Sequence, residues 1–285
     1  MTSRPAATGS TALVTGATSG IGRALAEALA AAGMTVGFVA RDRERGEQTK
    51  AAIAAETGSD RVELFVGDLS DMASVRRLAA AVADAHPMLD MLIHSAAVYR
   101  ARRTVTGDGF ETMFATNVLG PFLLTNMLLE RLRCAGSARV LVLSAPSTVT
   151  VDFDDLQAER RFRSLTAFGA TKAADLLFTF ELARRLDGTG VTANAVHPGL
   201  VRTNLMRQAP APLRWATRLV SASPDRAAAA IAPLALAPEY ASRTGRFFRA
   251  GREIEPPPYT VDPEMGRRLW EACAALTQPY EGVPS

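Results

Sequence analysis

The sequence predicts a doubly wound α/β fold, in which one parallel β-sheet carries helices on both faces. Short runs of β-branched and apolar residues alternate with longer segments whose apolar residues recur at helical spacing. The strands are expected at residues 11–15, 35–40, 61–66, 91–95, 138–144, 192–196 and 246–248, and the helices at 21–32, 43–56, 71–85, 111–132 and 166–187. Because parallel strands need crossover connections, this alternation favours a single parallel sheet.

Length and composition favour one domain. The chain has 285 residues, 48% of them hydrophobic, which suits one large core; we expect a flexible segment at residues 1–9 and a single domain at 10–285. A formal net charge of +3 with no block of Lys or Arg argues against nucleic-acid binding. Cys134 and Cys273 are expected to be buried free thiols, and no metal site is predicted. With no apolar run of about 18 residues, we expect a cytoplasmic protein without a membrane span.

One segment interrupts the alternation of strands and helices. Between residues 204 and 223 the chain carries Pro210 and Pro212 beside a short amphipathic stretch. Ser223 and Pro224 then form an N-cap and a first-turn proline, which predict the start of another helix. We interpret residues 204–223 as an inserted substrate lid.

A glycine-rich turn follows the first predicted strand and opens the first predicted helix. Gly16 permits a tight turn, Gly20 lets the backbone approach a phosphate, and Gly22 allows helix and strand to pack closely. The helix N-terminus, with Ser19 and Ile21 at its start, binds a diphosphate through unpaired N–H groups. This context predicts a Rossmann-type dinucleotide-binding domain, although a tight turn without a ligand is the simpler alternative.

The end of the second predicted strand indicates which dinucleotide binds. An acidic residue usually meets the ribose hydroxyls of NAD there, but here Ala40 is followed by Arg41. A guanidinium pairs well with the 2′-phosphate of NADP, so NADP(H) is predicted in preference to NAD(H). A solvated surface arginine is the alternative, and the neighbouring Asp42 weakens the argument. After the third strand, Asp68 and Leu69 suit the adenine edge, although Asp68 equally suits a helix cap.

Several motifs together resemble the short-chain dehydrogenase/reductase family. They are Gly16, Gly20, Gly22, Asp68, Asn117, Lys172 and the run His197, Pro198 and Gly199, in the family's order and spacing. The runs at 108–111, 117–120, 152–156, 195–199 and 268–271 are most similar to the retinol-dehydrogenase-like group. The resemblance implies a nicotinamide cofactor and a lipophilic carbonyl or alcohol substrate. It also implies cofactor contacts from Ser95, Ala96, Lys172, Pro198, Gly199, Val201 and Thr203.

The sequence departs from this family at its catalytic residues. The family's YxxxK motif is represented by Phe168 and Lys172, and the second residue of its serine pair by Ala145. Phenylalanine has no proton to donate and alanine cannot polarise a carbonyl, whatever Lys172 does. One general acid is worth about 10²–10⁴ in rate, so ordinary carbonyl reduction should be nearly abolished. Such substitutions arise either by natural divergence or by engineering. Residues 94–97 also depart from the family, which favours natural divergence.

The remaining candidates for catalysis are few. Asn117 resembles the family's helix-bending asparagine, and Lys172 is retained. Tyr99, shortly after the fourth strand, and Ser144, at the end of the fifth, are candidate proton donors. The simpler interpretations are that Tyr99 is an aromatic pocket wall and that Ser144 satisfies nearby backbone groups.

These observations favour an NADP(H)-binding oxidoreductase with a non-standard proton route, reducing an activated C=C, imine or carbonyl of a lipophilic small molecule. Two alternatives stay open: a non-redox enzyme of the same fold, such as a cyclase, isomerase or dehydratase, and an NADP(H)-binding protein without turnover. Helices 111–132 and 166–187 carry more apolar surface than one sheet face needs, which predicts a homo-oligomer.

Overall fold

One eight-stranded sheet organises the protein, described here from a computed structural model for residues 9–201, 205 and 222–281. Its strands are β1 Thr11–Thr15, β2 Thr35–Ala40, β3 Val62–Val66, β4 Met91–His94, β5 Arg139–Leu143, β6 Thr192–His197, β7 Phe247–Arg249 and β8 Arg252–Glu253. Their order across the sheet is β3-β2-β1-β4-β5-β6-β7-β8. Neighbours are parallel except β7 and β8, which are antiparallel. The predicted doubly wound parallel sheet is confirmed.

Helices cover both faces of this sheet. They are α1 Gly20–Ala31, α2 Arg43–Thr57, α3 Met72–Ala85, α4 Thr112–Cys134, α5 Ser164–Arg185, α6 Pro224–Leu236 and α7 Pro263–Glu281. On one face, α1, α2 and α6 build a core that includes Leu25, Ile53 and Ile231. On the other face, α3, α4, α5 and α7 build a core around Phe122 and Leu177. Since the chain passes from the β3 edge across to β4, the carboxyl ends of β1 and β4 form the switch point at which ligands bind in such sheets.

Side-chain caps fix where several helices begin. The Asp42 carboxylate accepts a hydrogen bond from the backbone N–H of Arg45 at the start of α2, and Asp71 caps α3 in the same way, both at 2.8 Å. Glu111 caps α4, and Ser223 caps α6 as the sequence predicts. Each cap satisfies a backbone donor that has no partner within its helix.

Helix α4 has the length and composition of a membrane-spanning helix, but it is packed as a core helix. Its most apolar window is 83% buried inside the protein. The helix includes a π-helical turn at Ala115–Leu119, which carries Asn117. Single π turns are frequent at functional sites, and this one lies beside the loop that follows β4.

Helix α7 is absent from the sequence prediction, and its packing bears on the predicted homo-oligomer. Trp270 packs edge-on against Phe122 of α4, with ring centroids 4.9 Å apart, and stacks on Phe178 of α5 at 6.0 Å. The guanidinium of Arg185 lies 4.3 Å from the centroid of the same indole. The chain itself thus covers the apolar surface of α4 and α5 that suggested an oligomer. The homo-oligomer stays a prediction and requires another surface.

One local expectation is wrong. Cys134, expected to be buried, is exposed at the last residue of α4, whereas Cys273 is buried within α7. The error comes from reading a helix end without its tertiary contacts.

The predicted lid falls almost wholly outside the described residues. Of residues 204–223, the structure describes only Leu205, Ala222 and Ser223. The flanks of the segment meet, because Val201 pairs with Ala222 in a parallel bridge. The predicted flexible segment 1–9 also lies outside the described residues except for its last residue, and Thr203 lies outside them as well.

His94, at the end of β4, is buried in one tautomer. Its Nε2 lies 2.7 Å from Oγ1 of Thr125, whose own proton is donated to the carbonyl oxygen of Pro121 at 2.7 Å. Thr125 therefore accepts, and Nε2 of His94 carries the hydrogen. Its Nδ1 is buried without a hydrogen-bond partner. Burial lowers the pKa of His94 to about 3 from an ordinary value of 6.5, because a charged ring there would be desolvated.

We predict that His94 makes the protein acid-sensitive. The unfolded chain takes up a proton at the ordinary pKa of 6.5 while the folded protein does not, so folding stability falls as pH drops from about 6.5 towards 3. Between pH 7.5 and 5 the loss from this group is about 2 kcal/mol. Urea unfolding at both pH values should show that loss reduced in His94→Asn but retained in a His86→Asn control. Equal losses in wild type and His94→Asn would contradict the assignment.

Candidate active site

A cleft of about 670 Å³ opens at the carboxyl ends of β1, β2, β3 and β4. Its described lining includes ten predicted cofactor residues, namely Gly16, Ser19, Gly20, Ile21, Gly22, Arg41, Asp68, Leu69, Ser95 and Ala96, together with Tyr99. Ten further residues, which the sequence analysis did not assign to the site, complete its described lining: Thr18, Val39, Ala40, Arg45, Gly67, Ala97, Val98, Arg100, Thr116 and Leu205. The predicted residues Asn117, Ser144, Lys172, Pro198, Gly199 and Val201 do not belong to this described lining.

The glycine turn leaves room for a ligand only because it has no side chains. A Cβ on Gly16 would lie 2.7 Å from Cα of Ala96, and Gly16 adopts a φ of +71°. A Cβ on Gly22 would lie 2.6 Å from the carbonyl oxygen of Gly16. At the N-terminus of α1, Ser19 makes no side-chain cap hydrogen bond, unlike the residues that cap α2, α3, α4 and α6. The N–H groups in the first turn of α1 therefore have no side-chain partner from Ser19. They can donate hydrogen bonds to an anion, and a diphosphate fits this geometry.

Thr15 holds the loop after β4 against this turn. Its Oγ1 accepts hydrogen bonds from the backbone N–H groups of Ser95 and Ala96 at 3.1 and 3.2 Å, and lies 3.4 Å from the carbonyl oxygen of Ile93. Sequence reasoning missed this residue because a threonine at a strand end is an ordinary strand former. The contact fixes the width of the cleft at its middle.

Two arginines stand at the β2 end of the cleft. Arg41 and Arg45 are both exposed and both line it. Asp42 caps α2 by accepting the backbone N–H of Arg45 at 2.8 Å. Asp68 accepts hydrogen bonds on Oδ1 from the N–H and hydroxyl of Ser70 at 2.9 and 2.8 Å. The acids at this end are engaged in local hydrogen bonds, and both arginines belong to the cleft lining.

Lys172 is held by a buried carboxylate. Its Nζ lies 2.7 Å from Oδ2 of Asp175 and 3.4 Å from the carbonyl oxygen of Leu143. The two side chains are only 8% and 4% exposed. Burial raises the pKa of Asp175 to about 6, against the opposing effect of the Lys172 charge. The ammonium is 5.7 Å from the ring centroid of Phe168. The structure therefore places Lys172 beneath the cleft, in an ion pair, and not on its described wall.

Asn117 and Ser144 are likewise satisfied within the protein. The Asn117 Oδ1 accepts from the N–H of Val98 at 2.8 Å, and its Nδ2 donates to the carbonyl oxygen of Val98 and to Oγ1 of Thr171, each at 3.1 Å. The Ser144 hydroxyl donates to the carbonyl oxygen of Lys172 at 2.8 Å. Asn117 thus positions the loop after β4, and Ser144 ties β5 to α5. Neither hydrogen-bonding group points a free proton at the cleft.

Tyr99 lies beside Phe168 and carries an ionisable hydroxyl. The two rings meet edge-on with centroids 5.7 Å apart, and both pack with Leu205 in one apolar cluster. The Tyr99 hydroxyl donates to Oγ of Ser164 at 2.9 Å. Ser164 is the first residue of α5, where the positive end of the helix dipole favours negative charge. The Tyr99 proton, like that of Ser144, is held within the protein, but its acceptor is a hydroxyl that can in turn donate to a phenolate.

The residues after β6 lie at the same edge of the sheet as the cleft. Gly199 adopts a φ of +82°, which turns the chain away from the strand. Val201 then pairs with Ala222. The predicted contacts of Pro198, Gly199 and Val201 with a cofactor stay predictions.

Known proteins are similar to this chain in sequence and in fold. Residues 10–213 match the family model described as short chain dehydrogenase. Retinol dehydrogenase 13 of Homo sapiens is 38% identical, over 94% of this chain and 84% of that protein. Polyprenol dehydrogenase of Mus musculus is 40% identical, over 96% of this chain and 85% of that protein.

Solved structures agree. An uncharacterized protein from Mycobacterium Paratuberculosis superposes with a TM-score of 0.74 at 31% identity, over 97% of this chain and 96% of that one. The Pseudomonas aeruginosa RhlG/NADP active-site complex gives a TM-score of 0.70 at 27% identity, over 86% of this chain and 97% of that one. The glycine turn, the sheet order and these matches lead to one conclusion: the chain belongs to the short-chain dehydrogenase family, in its retinol-dehydrogenase-like group.

Proposed function

We propose that this protein is an NADP(H)-dependent oxidoreductase that reduces an activated C=C, imine or carbonyl of a lipophilic small molecule, with Tyr99 as the proton donor. The observation that carries the proposal is Tyr99, which lines the cleft beside Phe168 and whose hydroxyl is hydrogen-bonded to Ser164. Relatives named for retinol and polyprenol support a lipophilic substrate. The free cysteines support a cytoplasmic location.

The cofactor proposal rests on the two ends of the glycine turn. The uncapped N-terminus of α1 binds the diphosphate. Arg41 and Arg45 bind the 2′-phosphate, because guanidinium groups form charge-assisted hydrogen bonds with phosphate oxygens. A structural relative solved as an NADP complex supports this preference.

The proton route uses the chain's own residues. A bound reduced nicotinamide supplies the hydride, so the protein must supply one proton for each turnover. Tyr99 donates it to the substrate heteroatom, or to the carbon next to the hydride acceptor in an activated C=C. The resulting phenolate is stabilised by the Ser164 hydroxyl and the N-terminus of α5, and is reprotonated from solvent at the cleft.

Lys172 plays no part in this route. Moving its ammonium to the cleft would leave the buried carboxylate of Asp175 unpaired, which typically costs about 3–5 kcal/mol. That cost exceeds the gain of about 1.5–3 kcal/mol from one hydrogen bond to a charged group. The cofactor is therefore held without the lysine.

The first prediction concerns cofactor choice. Arg41→Ala and Arg45→Ala should each weaken NADPH binding by about tenfold or more, because each loses a charge-assisted phosphate contact, and should change NADH binding by less than about twofold. Isothermal titration of both cofactors measures this. Arg43→Ala is the matched control. Arg43 is exposed on α2, as Arg45 is, but it does not belong to the described lining of the cleft. NADH binding as tight as NADPH would overturn the assignment.

The second prediction concerns the lysine. Lys172→Met should change the NADP⁺ dissociation constant by less than about threefold, because Lys172 is held by Asp175. In an Asp175→Asn background the lysine is released, and Lys172→Met should then weaken NADP⁺ binding by about tenfold. Circular dichroism and thermal unfolding check that all four proteins in this cycle are folded. A tenfold loss in the Lys172→Met single variant would show that the lysine does reach the cofactor.

The third prediction tests the proposed function. The wild type should oxidise NADPH with at least one member of a panel of ketones, enones and imines, followed by absorbance. Tyr99→Phe should lower kcat by about 10²-fold or more and leave NADPH affinity within about twofold. Tyr240→Phe is the control, because its hydroxyl bonds to the carbonyl oxygen of Gly251. No oxidation across the panel despite NADPH binding would favour non-redox chemistry; full activity in Tyr99→Phe would assign the proton to another group.

A further inference from the structure

A basic wall lies at the end of the cleft that contains Tyr99. It consists of residues 99–103, which follow β4, and residues 157–165, which lead into α5. The two segments are joined by the Tyr99–Ser164 hydrogen bond and by a hydrogen bond from Nε of Arg103 to the carbonyl oxygen of Gln157 at 3.1 Å. They carry six arginines: Arg100, Arg102, Arg103, Arg160, Arg161 and Arg163.

Few of these arginines form ion pairs within the described part of the chain. Within the described part of the chain, only Arg103 of the six has an ion-pair partner, the exposed Glu159 at 3.6 Å. Asp155, which adjoins the wall, uses its two carboxylate oxygens to accept the backbone N–H groups of Glu159 and Arg160 at 2.7 and 3.1 Å. Arg100 and Arg103 also interact electrostatically with the buried carboxylate of Glu111, which caps α4. In the part of the chain that the structure describes, the other four arginines of the wall have no ion-pair partner.

The adjoining compartment is apolar. Tyr99, Phe162, Phe168 and Leu205 pack in one cluster at this end of the cleft. Arg100 is half-buried and lines the cleft next to Tyr99. A partly buried guanidinium beside aromatic side chains is poorly hydrated, so an anion bound there gains more than it would at an open surface.

We propose that the substrate is a lipophilic anion, with its apolar body against Tyr99 and Phe168 and one terminal carboxylate or phosphate on Arg100. This inference rests on the proposed function for the reaction, and it adds the chemical class of the molecule that reacts. The phosphates of the cofactor are assigned to the glycine turn and to Arg41 and Arg45, at the other end of the cleft. The remaining arginines of the wall draw the anion towards the cleft.

Binding of simple probes tests the proposal without turnover. Decanoate, decyl phosphate and decan-1-ol share one chain and differ in the terminal group. Calorimetry on the NADP⁺-saturated protein should show both anions binding about tenfold or more tighter than the alcohol. Arg100→Gln should remove that advantage, leaving decanol and NADP⁺ affinities within about twofold. Arg61→Gln, an exposed arginine preceding β3 at the opposite edge of the sheet, should change nothing.

Four binding outcomes would overturn the proposal. Anions that bind no tighter than decanol would show that the compartment does not select charge. An advantage that survives Arg100→Gln would place the anion elsewhere, and a loss of NADP⁺ binding in that variant would assign Arg100 to the cofactor. Binding to phosphatidylglycerol vesicles, with no selection among the free probes, would assign the wall to a membrane surface. Because the readout is binding, selection of anions without NADPH oxidation would refute the proposed reaction and leave the anion site standing.

Discussion

The close approach of the loop after β4 to the turn after β1 determines the shape of the whole cleft. Backbone meets backbone at Gly16 and Ala96, where even one Cβ would collide, and the Thr15 hydroxyl holds the two N–H groups that face it. The middle of the cleft is therefore bounded by main chain, which recognises phosphate but carries no net charge. The basic side chains of its described lining stand at the two ends, Arg41 and Arg45 at one and Arg100 at the other.

The polar groups beneath this cleft have hydrogen-bond partners within the protein. Lys172 is paired with Asp175, Ser144 bonds to the backbone of α5, and Asn117 bonds to Val98 and to α5. A buried ion pair stabilises a fold only weakly, but losing one partner is expensive, so such groups are not free to follow a ligand. Phe168, which stands at the tyrosine position of the family's motif, has Tyr99 as its edge-on neighbour, and our proposal assigns the proton chemistry to that neighbour.

Local patterns predicted the parts of this protein that depend on local structure. The strands, the glycine turn and Arg41 can be located from residue order, because a strand, a turn and a helix start each have their own short signature. The partner of Lys172 could not, since an aspartate three residues along a helix is ordinary. Tyr99 and Ser164 meet across 65 positions of sequence, and Arg45 looks like a solvated helix residue until the fold turns it towards the cleft.

The packing of Trp270 on α4 and α5 has a consequence for biosynthesis. Phe122 and Phe178 emerge from the ribosome long before the helix that covers them, and apolar surfaces left open during synthesis are prone to aggregation. Folding of this face must wait for contacts of high sequence separation, which form slowly. Nascent chains that stall before α7 thus present an uncovered aromatic surface, which makes that face a natural target for chaperones.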